Sequence, residues 1–139
     1  MNDELFFDTN ILIYASVIND PREAVAAGAV ARGGVISVQI LNEFVNVARR
    51  KLRWSWPDVA GALTPLRRLF PQPRSVTSAT HDAALVIAQR DGLAFYDSVI
   101  VASALEAGCT TLLSEDMQHG RVIAGRLTIR NPFVELSGA

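Results

Sequence analysis

The chain contains only one cysteine and no apolar run long enough to cross a membrane. A lone Cys109 cannot form an intramolecular disulfide, so we expect a protein of the reducing cytoplasm. Largely apolar stretches such as Val99–Leu105 are far shorter than the roughly 20 residues that a membrane-spanning helix needs. The first four residues, Met1–Glu4, are acidic where a secretory signal would be basic. We therefore expect neither secretion nor a membrane anchor.

The chain also lacks an excess of charge of either sign, since its net charge is −1. The composition as a whole therefore does not mark a nucleic-acid binder. Four cations nevertheless crowd into Arg49–Arg53, next to Trp54 and Trp56. Two interpretations stay open: an RNA-binding surface with tryptophans that stack on bases, or a solvated helix end with tryptophans in the core or at a dimer interface.

Apolar residues make up 50% of the 139 residues, and the mean hydropathy is +0.23. This length fits one domain covering residues 1–139. Such a high apolar content is typical of a parallel sheet that is covered on both faces, and of a chain with a subunit or partner interface.

Short β-strands alternate with helices along the sequence. This alternation predicts an α/β fold with a mostly parallel sheet and helices on both faces. The predicted strands are Glu4–Asp8, Val35–Ser37, Ser75–Thr77, Thr111–Leu113 and Leu127–Arg130, the last at an edge of the sheet. The predicted helices are Asn10–Ser16, Pro21–Ala31, Val38–Arg53, one from a Ser55 cap to about Phe70, Thr80–Asp91 and Tyr96–Ala107.

Acidic residues follow two of the predicted strands. Asp8 ends the first strand, and Glu115 and Asp116 come just after Thr111–Leu113. Ligands of open α/β sheets bind beyond the carboxyl ends of the strands, so these acids predict a shared functional rim. The alternative is that they are ordinary turn residues.

Two further acids lie on predicted helices. Asp97 shares a helix face with Ile100 and Val101, where a carboxylate is costly unless a metal ion or a capping role compensates for it. Glu43 lies at the margin between an apolar and a polar helix face. It is either a functional acid or a solvated residue at the edge of the helix.

The acids are more informative as a group than one by one. The group consists of Asp8, Glu43, Asp97 and Asp116. Two carboxylates ~4 Å apart repel by about 4 kcal/mol at an effective dielectric constant near 20. Such a cluster needs cations or shared protons. An all-oxygen site of this kind suits Mg²⁺ or Mn²⁺.

The sequence resembles the PIN-domain ribonucleases, and in particular the VapC-like toxins of bacterial toxin–antitoxin pairs. The likeness covers nearly the whole chain and is specific through the order and spacing of its motifs. Those motifs are Phe7-Asp8-Thr9-Asn10-Ile11-Leu12, Gln39-Ile40-Leu41-Asn42-Glu43-Phe44, Phe95-Tyr96-Asp97-Ser98-Val99-Ile100-Val101-Ala102 and Leu113-Ser114-Glu115-Asp116-Met117-Gln118-His119-Gly120.

The resemblance implies a PIN-like three-layer α/β/α sandwich with a sheet of four to five strands. It implies that Asp8, Asp97 and Asp116 bind Mg²⁺ or Mn²⁺, that Glu43 faces them, and that a metal-activated water cleaves RNA. It also implies a homodimer, and an antitoxin that lays a peptide into a groove of the toxin. By position, three polar residues beside the acids would hold the water or the scissile phosphate: Thr9, Asn10 and Ser114.

Other classes fit the sequence less well. A phosphotransferase of the haloacid dehalogenase type needs a second aspartate two residues after Asp8, where Asn10 stands, and a late lysine, whereas Lys51 is the only lysine. A receiver domain fails on the same residues. A metal-free ribonuclease would have to pair His81 with His119. A PIN-like scaffold that only binds RNA or a partner remains the non-enzymatic alternative.

Overall fold

A computed structural model describes residues 4–134 of the chain. Residues 1–3 and 135–139 lie outside the described residues, and with them lie both ends of the expected 1–139 domain and most of the acidic Met1–Glu4 stretch. The described part contains six helices: α1 (Thr9–Ala15), α2 (Glu23–Ala31), α3 (Val38–Arg50), α4 (Trp56–Leu69), α5 (Ser78–Asp91) and α6 (Phe95–Glu106).

A four-stranded sheet forms the centre of the described residues. Its strands are β1 (Leu5–Phe7), β2 (Thr111–Leu113), β3 (Val122–Ile123) and β4 (Leu127–Arg130), in the order β1-β2-β4-β3. The β1/β2 and β2/β4 pairs are parallel, and β3 pairs antiparallel with β4. The mostly parallel sheet that the sequence predicts is confirmed.

The helices form two groups around this sheet. One group links α1 with α2 and α3, and α3 with α4, while α5 packs against α6. All three residues of β1 are buried, as are Leu112 and Ile129 of the neighbouring strands. Burial of successive strand residues means that both faces of the sheet are covered, which is the predicted three-layer α/β/α arrangement.

Two predicted strands, Val35–Ser37 and Ser75–Thr77, are not strands of the sheet. Val35 and Ser37 make only isolated parallel bridges, to Phe6 and Arg74. The prediction of a strand at Ser75–Thr77 is wrong. Thr77 instead forms a capping box with Thr80 at the start of α5, and the extended chain before it is used to enter the helix.

The remaining differences are at the far side of the sheet. β4 was expected at an edge, but it lies between β2 and the two-residue strand β3. By contrast, Ser55 caps α4 as predicted, since its hydroxyl accepts a hydrogen bond from the backbone N–H of Asp58 at 3.2 Å. No helix between residues 4 and 134 is both long and apolar enough to cross a membrane.

Candidate active site

A cleft of about 640 Å³ opens where β1 and β2 end. The two strand ends are joined here, because the backbone N–H of Asp8 donates to the carbonyl oxygen of Leu113 at 2.9 Å. We call this the acid cleft, since five carboxylates line it and Lys51 is the only cation among its lining residues in the described part of the chain. The five acids are Asp8, Glu43, Asp97, Glu115 and Asp116.

Asp8 is the most deeply placed of these acids, with 5% of its surface exposed. It lies between β1 and α1, and its carboxylate accepts hydrogen bonds from the backbone N–H of Thr9 at 2.7 Å and the hydroxyl of Ser114 at 2.8 Å. Burial raises its pKa to about 6, an effect that these hydrogen bonds oppose and that the charges of Glu43 and Asp97 reinforce. Ionised Asp8 is therefore an energetically costly group that a cation would stabilise.

Glu43 faces the cleft from α3. Its Oε2 accepts a hydrogen bond from the Thr9 hydroxyl at 2.7 Å, and its Oε1 accepts one from the Gln39 side-chain amide at 2.9 Å. Sequence reasoning did not give Gln39 a role. The signal was present, because residues four apart on a helix lie one above the other.

Asp97 is the third residue of α6, whose N-cap position is occupied by Ala94. It therefore does not cap the helix, and within residues 4–134 its carboxylate accepts no hydrogen bond. Burial raises its pKa, and the nearby charges of Asp116 and Glu43 raise it further. Its place in the first helical turn offers the helix dipole as partial compensation.

Two adjacent acids follow β2 and have different partners. Asp116 is exposed and accepts a hydrogen bond from the Asn10 side-chain amide at 2.5 Å. Glu115 accepts one from the Tyr14 hydroxyl at 2.7 Å and one from Arg22 at 3.1 Å, and the Arg22 guanidinium lies 4.0 Å from the Tyr14 ring centre. Both carboxylate oxygens of Glu115 thus accept hydrogen bonds, whereas only one carboxylate oxygen of Asp116 accepts one from the described residues.

The three predicted polar residues each donate to a different acid. Thr9 donates to Glu43, Asn10 to Asp116 and Ser114 to Asp8. Thr9 and Asn10 line the acid cleft. Ser114 is fully buried, and its oxygen also accepts from the backbone N–H of Met117 at 3.3 Å. Neutral donors therefore hold three of the four predicted acids in place.

These side chains fit a hard divalent cation by their chemistry. The five acids of the cleft offer carboxylate oxygens as metal ligands. The carboxylate of Asp97 accepts no hydrogen bond from the described residues that would compete with a cation. In their present positions, no three His, Cys, Asp or Glu side chains between residues 4 and 134 are grouped closely enough to hold an ion. The acids that accept hydrogen bonds are turned towards protein donors instead.

Other features do not compete as a catalytic centre. A larger cavity, about 840 Å³, is lined by residues 34–36 and 70–75 and by the end of α6, and its single acid, Glu106, accepts a hydrogen bond from Thr80 at 3.0 Å. The two histidines lie elsewhere. His81 packs against Phe95 with ring centres 5.3 Å apart, and Nδ1 of His119 accepts a hydrogen bond from the backbone N–H of Asn131.

A mostly parallel sheet whose carboxyl edge carries carboxylates from the end of β1, from α3, from α6 and from the loop after β2 defines an α/β protein with an acidic cleft. The model of the PIN domain family matches residues 5–124 of the sequence. The chain therefore belongs to the PIN-domain family. No curated protein sequence matches it significantly.

Solved structures resemble this fold at low sequence identity. VapC20 of Mycobacterium tuberculosis, a toxin that cleaves the sarcin–ricin loop, shares 19% identity with a TM-score of 0.66, over 81% of this chain and 89% of that one. A toxin–antitoxin complex from Klebsiella pneumoniae shares 20% identity with a TM-score of 0.68, over 92% and 97%. VapBC2 of Rickettsia felis, bound to promoter DNA, shares 15% identity with a TM-score of 0.65, over 91% and 98%.

Proposed function

We propose that this chain is a Mg²⁺- or Mn²⁺-dependent endoribonuclease and the toxin of a toxin–antitoxin pair. The observation that carries the proposal is the meeting of Asp8, Glu43, Asp97 and Asp116 in one cleft. They come from four separate parts of the chain, and the raised pKa of Asp8 reflects the cost of placing an acid there. A purely structural role does not account for such a costly cluster.

Asp8, Asp97 and Asp116 would hold the cation, and Glu43 would face it from α3. A divalent cation in such a site supplies Lewis-acid activation of water and neutralises charge on the phosphate. We assign Ser114 the orientation of Asp8, because its buried hydroxyl donates to that carboxylate. Gln39 and Thr9 fix the direction of Glu43.

Thr9 and Asn10 line the cleft with neutral polar groups, but the single hydroxyl hydrogen of Thr9 is donated to Glu43. We therefore assign to Asn10 the contact with a non-bridging oxygen of the scissile phosphate, and to Thr9 the positioning of Glu43 beside it. The Asn10 amide has a second N–H besides the one that it donates to Asp116. A donor of this kind can stabilise negative charge that develops on the phosphate.

The direct test is incubation of the purified chain with a total-RNA pool, followed by mapping of the new RNA ends. We expect cleavage at defined sites in Mg²⁺ or Mn²⁺ and none in EDTA. Cleavage that persists in EDTA would contradict the metal mechanism. Intact RNA under all conditions, with the protein folded, would favour a PIN-like scaffold without catalytic activity.

An apolar groove supports the antitoxin part of the proposal. It has a volume of about 420 Å³ and lies between α1, α2 and α4. Its lining is almost entirely aliphatic, with Ala15, Ala27, Val30, Ala62, Leu66 and Leu69 among its residues. Two of the similar structures are toxin–antitoxin complexes. We propose that an apolar segment of an antitoxin occupies this groove.

The toxin role makes a cellular prediction. Expression of the chain alone in bacteria should arrest growth, and Asp97→Ala should relieve the arrest at matched protein levels. Equal arrest by both proteins would exclude toxicity through the acid cleft. We also propose a cytoplasmic homodimer, to be tested by light scattering on the eluting protein, where a monomer at micromolar concentration would contradict it.

A further inference from the structure

One long segment of the chain is almost free of acids. Residues 44–81, here called the basic segment, hold seven of the 13 cations and one of the 14 acids, Asp58. The densest part of the basic segment begins in the last turn of α3 and comprises Arg49, Arg50, Lys51 and Arg53. None of these four forms an ion pair with any residue between 4 and 134.

The basic segment reaches the acid cleft directly. Lys51 and Leu52 line the cleft together with Asn46 and Val47, beyond Glu43 on the same wall. At 1.5 Å per residue, α3 carries the chain about 12 Å from Glu43 to Lys51. A helix dipole explains why cations are favoured at the end of α3. It does not explain why the only lysine faces a cleft of carboxylates.

The two tryptophans of this region have different environments. Trp54 is half-buried and packs edge-to-face on Phe44, with ring centres 6.3 Å apart. Trp56, the first residue of α4, is 60% exposed. The Arg49 guanidinium lies 4.3 Å from the Trp56 ring centre, and it also donates to the carbonyl oxygen of Trp54 at 2.8 Å. Arg49 is thereby held against one side of an exposed indole.

Exposed tryptophan is uncommon, since its ring is costly to leave in water. An aromatic side chain flanked by unpaired cations is the arrangement with which proteins bind single-stranded nucleic acids. Protein interfaces also use tryptophan and arginine, but the centres of such interfaces are depleted of charge. Four unpaired cations within five residues, one of them in the cleft, favour a polyanion over a protein partner.

We infer that Trp56, Arg49 and Lys51 form a subsite for an unpaired nucleotide next to the scissile phosphate. Trp56 stacks on the base, Arg49 supports the indole from one side, and Lys51 contacts the phosphodiester backbone between that base and the acid cleft. This inference rests on the proposed ribonuclease function and narrows its substrate to RNA with a single-stranded stretch beside the cut.

Binding of labelled RNA, followed by fluorescence anisotropy in Mg²⁺, tests the subsite. The Asp116→Asn background is used because we expect it to cleave RNA about a hundredfold more slowly. The probes are a single-stranded oligonucleotide and its duplex. We expect Trp56→Ala to weaken single-strand binding about tenfold or more, as loss of one stacked base does. Trp56→Phe should retain most of the affinity, and duplex binding should change little. Lys51→Gln should reduce the slope of log affinity against log salt concentration by about the amount that corresponds to one phosphate contact.

Arg126→Gln is the matched control, because Arg126 is an exposed cation outside the basic segment. Thermal unfolding checks that each variant is folded. Unchanged single-strand affinity for Trp56→Ala, or equal losses for single strand and duplex, would overturn the subsite. A change in oligomeric state without a change in affinity would overturn it in favour of a protein interface.

If the wild type cleaves RNA in Mg²⁺ while the subsite variants behave normally, only this inference fails; if the wild type neither binds nor cleaves RNA, the proposed function itself fails.

Discussion

The acid cleft and the basic segment arrange charge in opposite ways. The acids of the cleft come from the end of β1, from α3, from α6 and from the loop after β2, so only the fold brings them together. The cations of the basic segment belong to one continuous stretch of the sequence, four of them within five residues, and they are exposed to solvent. Exposed like charges on flexible side chains repel weakly in water. In the cleft, burial raises the pKa of Asp8 and Asp97, and the charges of neighbouring acids raise it further.

This difference separates two kinds of contribution. The acids of the cleft are like charges held close together, so removal of one acid should change both the rate of RNA cleavage and the free energy of unfolding. The basic segment holds charge at little cost, so removal of one cation should change affinity by a modest factor and leave stability almost unaltered. A cleft variant that changes neither cleavage nor stability, or a basic-segment variant that strongly lowers stability, would show that the function of that region has been misassigned.

The largest effect is expected at the two strand ends. Asp8→Asn and Asp116→Asn should each lower RNA cleavage by roughly two orders of magnitude or more, the usual cost of losing a principal electrostatic group. The rate of end formation in Mg²⁺ measures this. Asp82→Asn, which removes an exposed acid from α5, is the control and should cleave normally. Near-normal rates in both cleft variants would remove these residues from the site.

The pH dependence of stability should reveal the buried acid. Asp8 has a pKa of about 6 in the folded chain against 3.8 in the unfolded chain. The folded state therefore binds the proton more tightly, and this stabilisation is complete below pH 3.8 and lost as the pH rises through 6. A shift of this size corresponds to at most about 3 kcal/mol.

Metal-free denaturant titrations of wild type and Asp8→Asn between pH 4 and 7 measure this term. The free energy of unfolding of the wild type should fall relative to that of the variant over this range. The variant serves as the reference because asparagine has no proton to lose. Two curves that stay parallel would show that Asp8 ionises in the folded chain as easily as in the unfolded one.

The smallest effect is expected at the neighbour of Asp116. Both oxygens of Glu115 are occupied by Tyr14 and Arg22, so we assign this residue to holding the loop after β2 rather than to the cation. Glu115→Gln keeps an acceptor for Tyr14 and should lower cleavage less than tenfold. A loss as large as that of Asp116→Asn, at unchanged folding, would place Glu115 among the catalytic acids.

Much of the fold could be predicted from the sequence because the elements are local. Apolar spacing and the Ser55 cap located the helices to within a few residues. The two-residue β3 escaped notice because so short a strand has no periodicity. The extended Ser75–Thr77 stretch was misassigned because its threonine favours a strand and also caps α5.

The candidate site divides in the same way. Asp8 and Asp116 could be placed from the strands that precede them. Sequence alone could not decide between a cap and a cleft role for Asp97, because both put aspartate in the first turn of a helix. The partners of Glu115 could not be predicted either, since Tyr14 and Arg22 lie 101 and 93 residues away along the chain. Trp54 and Trp56 looked alike in the sequence, and only their contacts separate them.

The central claim is that four of the five acids of the cleft, all except Glu115, act together as one cation site, and Asp97→Ala tests it most directly. Denaturant titrations of wild type and variant are compared in EDTA and in excess Mg²⁺ or Mn²⁺, with Asp82→Ala as the control. In EDTA the variant should be as stable as wild type or more so, because it lacks one of the repelling charges. In metal the order should reverse, since bound ion stabilises the intact site by RT ln(1 + [L]/Kd), about 2.7 kcal/mol at 100 times Kd. An equal loss of stability in both conditions would contradict the claim, because Asp97 would then stabilise the fold without contributing to a cation site.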